Sequence, residues 1–361
     1  MKSVFRFILC VLIFGVAVLP SPAAFTSLFV FGDGVSTTTD NLYGGADYYG
    51  LRYSNGRVWV EVLAQRQGLT FESSKNWSFF GHYSPNLVGN VTSFVAPPDV
   101  GSSLFIVWVN NADFVYTLSQ NNPPYNNSAI WTDAMNRSLS NHFTAIQTLY
   151  NKGVRTLIMP NAVDLMKVPN YTGLLAADKS FVRQRVIDYN IAFAARLNQA
   201  RASFPNLTIH SPDVFSLLDD VVAHAGSYGL TNTLSNLGQS IDALSDPNLA
   251  NKSLNGPGTN YIFWDDLNPT AKLQAVIADL VQQLIAPVYI SGIAPLTGTN
   301  QLVIGNTPVG RNGVVDGSTN FVNWIPAQSI TSSNVTQTVL VPAAGPWRCY
   351  RLRFPFSWSW P

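Results

Sequence analysis

Short apolar runs alternate with longer segments of helical periodicity over most of the chain. Four strands rich in apolar or β-branched residues are predicted at residues 27–31, 104–109, 154–159 and 207–209. Helices are predicted at about residues 135–149, 181–202, 214–225 and 269–285. The last helix has Asn268 as its predicted N-cap and Pro269 as its first residue. The alternation predicts an α/β fold of three layers, α/β/α, with a parallel sheet covered on both faces.

After residue 287 the pattern changes to short strands separated by Gly, Asn, Pro and Ser turns. Candidate strands are residues 288–291, 301–304, 321–324, 336–341 and 349–354. No segment of helical period follows them, so a small all-β module is predicted for residues 288–361, after a domain of residues 25–287. The aromatic tail at residues 354–361 is interpreted as a strand of that module or as a surface for glycans or a partner.

The first 24 residues have the organisation of a secretory signal peptide. Lys2 and Arg6 precede an unbroken apolar run at residues 7–19, and small residues follow at positions 21–24. A membrane anchor is the alternative, but the run is shorter than the roughly 20 residues that span a bilayer. The sequence therefore predicts an exported protein, secreted to the extracellular space or periplasm and not integral to the membrane.

Composition narrows the possible partners and cofactors. The formal net charge is +1 and only 11% of residues are charged, which argues against a nucleic-acid binder because such proteins present a basic face to phosphate. Removal of residues 1–24 takes Cys10 away and leaves Cys349 alone, so neither a disulfide nor a thiolate zinc site is predicted. The four histidines show no metal-ligand spacing. No metal and no cofactor is predicted.

Polar residues follow several of the predicted strands, at the edge where open parallel sheets bind ligands. The segments are Phe29-Val-Phe-Gly-Asp-Gly-Val35, Asn76-Trp-Ser-Phe-Phe-Gly81, Trp108-Val-Asn-Asn-Ala-Asp113 and Phe263-Trp-Asp-Asp-Leu-Asn-Pro-Thr270. In order and content they resemble the four sequence blocks of the GDSL, or SGNH, hydrolases. The resemblance covers about residues 26–287 and implies a flavodoxin-like α/β/α domain that hydrolyses acyl esters.

The resemblance also implies roles for single positions, and several of them are replaced. Gly34 stands at the position of the nucleophilic serine, and Asn268 stands at the position of the histidine base. Asp265, which would support that histidine, is present. In the third block, Asn110 stands at the glycine position and Ala112 at the position of the asparagine that binds the oxyanion. A glycine has no nucleophilic atom, and an amide cannot act as a general base near neutral pH.

The remaining cleft residues come from the ends of the same blocks. The second-block glycine falls on Phe80 or Gly81, depending on a one-residue choice of alignment. Asp33, Gly81, Asp113 and Trp108 are predicted to line the substrate cleft. A set of aromatic residues near the strand ends favours sugar rings, which offer apolar faces and hydroxyl edges, unless its members are core residues: Tyr48, Tyr49, Tyr53, Trp59, Trp77, Phe79, Phe80 and Trp108.

The replaced positions admit a purely structural interpretation and one catalytic alternative. Gly34 permits a tight strand-to-helix turn, and Asn268 is a good helix N-cap. The catalytic alternative is a relocated triad of Ser36, His82 and Asp265, should all three side chains face one cleft.

Two functions from different classes follow from these observations. The first is an exported member of the ester-hydrolase family whose active site is degenerate, with acylated carbohydrates or lipid esters as its ligands. The alternative is a non-catalytic pseudo-esterase that holds a glycan in the old cleft.

Overall fold

The computed structural model of the chain describes residues 25–343 and 349–355. The predicted signal peptide and most of the aromatic tail lie outside these residues. Four parallel strands form one sheet in the order β1-β2-β3-β4. They are β1 (Leu28–Gly32), β2 (Leu104–Trp108), β3 (Thr156–Ile158) and β4 (Thr208–His210). All four predicted strands are therefore present, with shorter or slightly shifted bounds.

A fifth position extends the sheet beyond β1. Val30 forms an isolated parallel bridge with Asn76, and the backbone N–H of Trp77 donates to the carbonyl oxygen of Val30 over 2.8 Å. The second sequence block therefore lies along the free edge of β1. This contact brings the block to the same end of the sheet as the residues that follow β1.

Eight α-helices are described, and they pack in two groups. Their bounds are α1 (Trp59–Arg66), α2 (Ser84–Ser93), α3 (Asn110–Ser119), α4 (Ser128–Asn151), α5 (Pro169–Thr172), α6 (Ala176–Ser203), α7 (Val214–Ala223) and α8 (Ala271–Ile285). Helices α1 and α8 pack against each other, while α2, α3 and α6 pack around α4 or its neighbours. Every residue of β1 and β2 is buried, as a sheet covered on both faces requires. The predicted α/β/α architecture is confirmed.

The start of α8 differs from the sequence prediction. Asn268 and Pro269 precede the helix, and Pro269 forms a bridge with Phe263. The N-cap is Thr270, whose hydroxyl accepts the backbone N–H of Leu273 and donates to the carbonyl oxygen of Tyr261. Thr270 is a good cap in its own right, so the helix does not use Asn268. This frees the Asn268 side chain for the site described below.

The C-terminal part forms two three-stranded antiparallel sheets, as the predicted all-β module requires. The strands are β5 (Tyr289–Leu296), β6 (Thr299–Gly305), β7 (Asn312–Ser318), β8 (Ile325–Thr331), β9 (Gln337–Pro342) and β10 (Cys349–Arg353). Their orders are β5-β6-β9 and β10-β7-β8. A small core joins the sheets through five buried side chains: Leu302, Ile304, Val315, Ile330 and Val341.

One predicted strand of this module, residues 321–324, is wrong. The Asn320 side chain accepts the backbone N–H groups of Val322 and Asn323, and Phe321 has a φ of 60°. This local turn prevents an extended strand. The sequence also failed to predict β7, because two glycines and an aspartate lower its strand propensity. Pairing with β8 and β10 on its two edges compensates for that weakness.

Buried ion pairs fix the module to the domain. Asp279 of α8 binds Arg66 of α1 through one carboxylate oxygen and Arg311 of the module through the other. Arg66 also donates to the carbonyl oxygen of Val309 over 3.1 Å. Arg66 and Arg311 are both buried, so these bonds form in a poorly solvated junction where an unpaired charge is costly.

We predict that Arg311→Ala lowers the free energy of unfolding by about 2–4 kcal/mol. Removing one partner of a buried ion pair typically costs about 3–5 kcal/mol, and here Asp279 keeps Arg66 as a partner. Urea unfolding followed by tryptophan fluorescence measures the change, because urea does not screen charges as guanidinium salts do.

The matched control is Arg351→Ala. The Arg351 side chain is about half exposed and binds Asp316, which keeps Arg353 as a partner after the substitution. Its loss should cost under about 1 kcal/mol. Equal and small effects of the two substitutions would contradict the role of the Arg311 junction.

Candidate active site

A cleft with a cavity volume of about 320 Å³ opens at the carboxyl ends of β1 and β2. It brings together residues from all four sequence blocks, the second contributing only its last two residues, and from the loop after β3. The blocks contribute six polar or small residues to the wall of the cleft: Asp33, Gly34, Gly81, Asn111, Ala112 and Asn268. The rest of the wall is mostly apolar: Val35, Phe80, Val115, Tyr116, Ser119, Val163, Leu165, Val168 and Leu267.

Gly34 lies in the tight turn that leaves β1. The preceding Asp33 caps a short 3₁₀ helix, Gly34–Ser36, by accepting the backbone N–H of Val35 over 3.1 Å. A Cβ atom at Gly34 would lie 3.6 Å from ring carbons of Phe80 and Tyr53, at ordinary van der Waals distance. The turn therefore has room for a side chain at this position. The tight turn that Gly34 was expected to permit is present, but the space around it does not require glycine.

Asn268 is held next to Gly34 by a buried carboxylate. Its side-chain Nδ2 donates to Asp265 Oδ1 and Oδ2 over 2.9 and 3.2 Å, and its backbone N–H donates to Oδ1 over 2.6 Å. Its Oδ1 would lie 3.8 Å from a Cβ atom at Gly34. The hydroxyl of Tyr48 completes the set by donating to Asp265 Oδ2 over 3.2 Å. The positions of nucleophile, base and supporting acid are thus adjacent, although two carry unreactive residues.

The oxyanion positions are only partly served by suitable groups. Ala112 lines the cleft but offers no side-chain donor there. Asn110 is fully buried and donates to the carbonyl oxygen of Pro160, outside the cleft. Gly81 lines the cleft with a φ of +73°, whereas the backbone N–H of Phe80 is bound to Asp40 Oδ2. Of the two alignments of the second block, Gly81 is the one placed to face a ligand.

Of two residues that the sequence predicted to line the cleft, Asp113 lies elsewhere and Trp108 lines only the apolar pocket beside the cleft. Asp113 accepts the backbone N–H and hydroxyl of Ser84 and, over 2.6 Å, the hydroxyl of Ser138, so it belongs to a buried polar network between α2, α3 and α4. Trp108 packs edge-on against Trp59 in the core, and its indole N–H donates to the carbonyl oxygen of Asn161. These side chains are used to hold the sheet and helices together.

Ser36 and His82 do not meet Asp265. The Ser36 hydroxyl is fully buried and accepts the indole N–H of Trp59 over 3.0 Å. His82 donates from Nδ1 to the carbonyl oxygen of Gly32 over 2.7 Å, and its Nε2 accepts from Asn90. Because both ring nitrogens are occupied and neither residue lines the cleft, the geometry does not bring this relocated triad together.

A second, apolar pocket with a cavity volume of about 50 Å³ adjoins the cleft. The two cavities share five lining residues: Val35, Asn111, Val163, Val168 and Leu267. Beyond these, the pocket extends between α7, α8 and the end of β2, with walls formed by Trp108, Val214, Leu217, Leu218, Phe263, Pro269, Leu273 and Ile277. An apolar group in the cleft therefore has an apolar space next to it.

Part of the cleft wall was not predicted from the sequence. Val115 and Tyr116 of α3 and the loop residues Val163–Val168 carry no motif, so no pattern distinguished them from core positions. Asn111 could have been predicted as a cleft residue, because it follows β2 closely in the sequence. Its Oδ1 accepts the backbone N–H of Val163 over 2.9 Å, which ties the loop after β3 to the site.

Burial makes the two acids of the site unusually weak. Desolvation raises the pKa of Asp33 to about 7, with a smaller contribution from the charge of Asp113. Desolvation likewise raises the pKa of Asp265 to about 6, against the bonds donated by Leu267 and Asn268. Burial lowers the pKa of His82 to about 4, so its ring is neutral at physiological pH. Within residues 25–343 and 349–355, no cluster of three His, Cys, Asp or Glu side chains is placed to hold a metal ion.

A parallel sheet with Gly34, Ala112 and Asn268 around a cleft at its carboxyl edge has the architecture of a GDSL hydrolase. The GDSL-like lipase/acylhydrolase family matches residues 28–281. The chain belongs to this family.

Individual relatives are distant. A GDSL esterase/lipase of Arabidopsis thaliana is 25% identical over 238 residues, which are 64% of this chain and 63% of that protein. The chain thus spans less than two thirds of that relative's length. Among solved structures, it is similar to the lipase Lip_vut3 from a goat rumen metagenome (8% identity, 72% of this chain, 97% of that chain, TM-score 0.43). It is also similar to Axe2, an acetylxylan esterase from Geobacillus stearothermophilus (11%, 74%, 96%, TM-score 0.41).

We predict that Asp33→Asn changes how the stability of the fold depends on pH. Since the pKa of Asp33 is about 7 in the fold and about 3.9 in an unfolded chain, the folded state binds more protons between these values. The free energy of unfolding therefore falls as pH rises through this window. The substituted amide keeps an acceptor for Val35 and has no charge, so the Tm of the variant should exceed that of the parent by a few degrees at pH 8.

Thermal unfolding at intervals between pH 4 and pH 8 tests this expectation. The difference in Tm between variant and parent should shrink towards pH 4, where both folded forms are neutral at this position. Asp47→Asn, at an exposed carboxyl on the loop after Asn41, is the control and should show no such trend. A difference that does not vary with pH would show that the Asp33 charge is not the cause.

Proposed function

We propose that this protein binds an acylated ligand in the cleft without hydrolysing its ester. The observation that carries the proposal is the pair of unreactive residues, Gly34 and Asn268, held beside each other and beside the carboxylate of Asp265. A glycine supplies no atom to attack a carbonyl carbon. The side-chain amide of Asn268 donates its N–H groups to Asp265, and an amide cannot act as the base that accepts the proton.

The size of the catalytic loss supports a binding role. In serine hydrolases, removing the nucleophile or its base alone costs a factor of about 10⁶ in kcat, because the residues act as a unit. Loss of one oxyanion donor, as at Ala112, costs a further ~10²–10³. The backbone N–H groups of Gly34 and Gly81 do not depend on side chains. These donors can therefore still orient an ester carbonyl, although the residues needed for hydrolysis are replaced.

The chemistry of the walls favours an acyl chain as the bound group. Apolar side chains form most of the cleft, and the adjoining pocket is almost entirely apolar. Each methylene group transferred from water into such a space contributes about 0.8 kcal/mol. Polar groups are concentrated near Asp33, Asn111 and Asn268, which is where the ester itself would lie.

Glycan binding is the weaker candidate. Among the aromatic residues predicted to hold a sugar, Tyr53, Trp59 and Trp108 are buried. Phe80 lines the cleft, but Phe79 stacks on His82 at 4.2 Å and serves packing there. An acylated carbohydrate would place its acyl group in the cleft and its sugar at the mouth, which agrees with both the walls and the exposed aromatic residues.

The same proposal includes export of the protein. The basic and apolar pattern of residues 1–24 supports it. Among the described residues, no helix has the length and apolar character needed to cross a bilayer.

We predict that Gly34→Ser together with Asn268→His creates hydrolysis of p-nitrophenyl acetate that the parent lacks. A serine fits at position 34, and a histidine at position 268 would replace the amide beside Asp265. Adding Ala112→Asn should raise kcat/KM by a further ~10²–10³, because it supplies the missing oxyanion donor. Release of p-nitrophenol measures each rate.

The matched control is Gly34→Ala with Asn268→His, which has the same histidine but no hydroxyl. It should be as inactive as the parent. Turnover by the parent equal to that of the serine variant would overturn the non-hydrolytic role. Loss of that parental turnover in Ser36→Ala would then point to a catalytic role for Ser36 after all.

We predict that affinity for simple alkyl esters rises with acyl length until the apolar space is filled. Each added methylene should tighten Kd about fourfold, from the 0.8 kcal/mol contribution above. Isothermal titration with methyl esters of increasing acyl length measures the series. Val115→Asp, which places a carboxylate in the half-buried wall, should weaken binding at least tenfold.

Ile191→Asp is the control for that substitution. Ile191 is exposed on α6, away from the cleft, and its replacement should leave Kd unchanged. Affinity that is independent of acyl length, together with a thermal shift produced by oligosaccharides alone, would favour the glycan-binding alternative instead.

A further inference from the structure

An exposed apolar loop lies next to the cleft. It runs from residue 42 to residue 51 and contains two leucines, three tyrosines and one charged residue, Asp47. Leu42 is 72% exposed, Tyr43 68% and Leu51 47%. Side chains of this size are usually buried, so a group of them on one loop marks an interaction surface.

Packing connects this loop directly to the mouth of the cleft. Tyr53 stands between them: its ring contacts Tyr43 edge-on at 6.4 Å on one side and Phe80 at 5.4 Å on the other. The Tyr53 hydroxyl accepts the backbone N–H of Leu42 over 3.1 Å. Phe80 lines the cleft and is itself 40% exposed. The apolar surface therefore continues from the loop, across Phe80, into the cleft.

We propose that this rim, formed by Leu42, Tyr43, Leu51 and Phe80, docks on a lipid surface with electrically neutral headgroups. The inference rests on the proposed binding of an acylated ligand and adds the source of that ligand. An acyl chain drawn from the surface would pass along the rim into the cleft without crossing water. The exposed ring of Tyr43 with its polar tip suits the headgroup region, where such aromatic side chains concentrate.

Charge favours neutral lipid over an anionic membrane. Binding to anionic lipid relies on clustered Lys and Arg near the surface. Residues 42–51 contain neither, and the acids Asp40 and Asp47 flank the exposed side chains. Arg52, the nearest base in the sequence, is engaged by both carboxylate oxygens of Glu61. Attraction to a negative surface therefore has no source at this rim.

Continuity with the cleft favours lipid over a protein partner. A protein that bound the loop would need only the exposed patch, and its binding would not explain why the apolar surface extends inward past Phe80. A lipid uses both parts, because its chain is apolar along its whole length. The cleft and its adjoining pocket supply space for that chain.

The experiment compares binding of the full chain to phosphatidylcholine vesicles with that of Leu42→Ser/Tyr43→Ser. Because burial of large apolar side chains drives such partitioning, removing two of them should lower the vesicle partition coefficient at least tenfold, even for partial insertion. Vesicle flotation measures the bound fraction. Anionic vesicles should bind no better than neutral ones, and added salt should not release the protein.

The control is Leu340→Ser, at a similarly exposed leucine on β9 of the β module, which should leave vesicle binding unchanged. The loop variant should keep its affinity for soluble short-chain esters, since neither residue lines the cleft. Loss of vesicle binding with ester binding retained supports the rim. Vesicle binding that is absent in the parent, unaffected in the loop variant, or dependent on anionic lipid overturns the rim while leaving ester binding to be judged by its own titration.

Discussion

The turn that follows β1 is the constraint on which the site depends, and buried hydrogen bonds fix it from several sides. The carbonyl oxygen of Gly32 accepts from His82, and Asn76 donates to the carbonyl oxygen of Ser36. A Cβ atom at Gly32 would lie 2.7 Å from Cβ of Ser36, so this glycine is required by packing. The turn therefore keeps its shape without any contribution from a catalytic serine, and Gly34 reaches the cleft as a consequence of the fold.

This arrangement is compatible with the proposed non-hydrolytic role, because the architecture and the chemistry of the family depend on different residues. The groups that fix the turn after β1, such as Asn76, Ser36 and His82, do not stand at the catalytic positions of the family. Replacing the nucleophile and base removes a polar pair from a buried place but leaves those structural bonds untouched. Asp265 accepts five hydrogen bonds in this chain, including two from the Asn268 side chain and one from the Tyr48 hydroxyl. A buried carboxylate with such partners does not force the site to unfold.

The sequence predicted the parallel sheet and four of the eight described α-helices, namely α4, α6, α7 and α8, because periodicity reports burial directly. The continuous apolar runs of β1 and β2 are typical of strands in a parallel sheet that is covered on both faces. The site was predicted only in part, because a motif shows which residues follow a strand but not where their side chains point. Asp113 and Trp108 lie in the third block yet face the interior. His82 and Ser36 have the right chemistry, but their hydrogen bonds to Gly32 and Trp59 are contacts between distant segments that no local pattern contains.

The electrostatics of the cleft bear on which acylated ligands suit it. Asp33 and Asp265 have pKa values near 7 and 6, and no histidine stands between them to offer a positive charge. As pH rises through this range, the site gains negative charge from both carboxyl groups. A free fatty acid, which is itself a carboxylate at such pH, would be repelled from the polar end of the cleft. An ester has no charge and can accept hydrogen bonds from the backbone and amide groups there, so the weak acids favour the ester over the product that its hydrolysis would release.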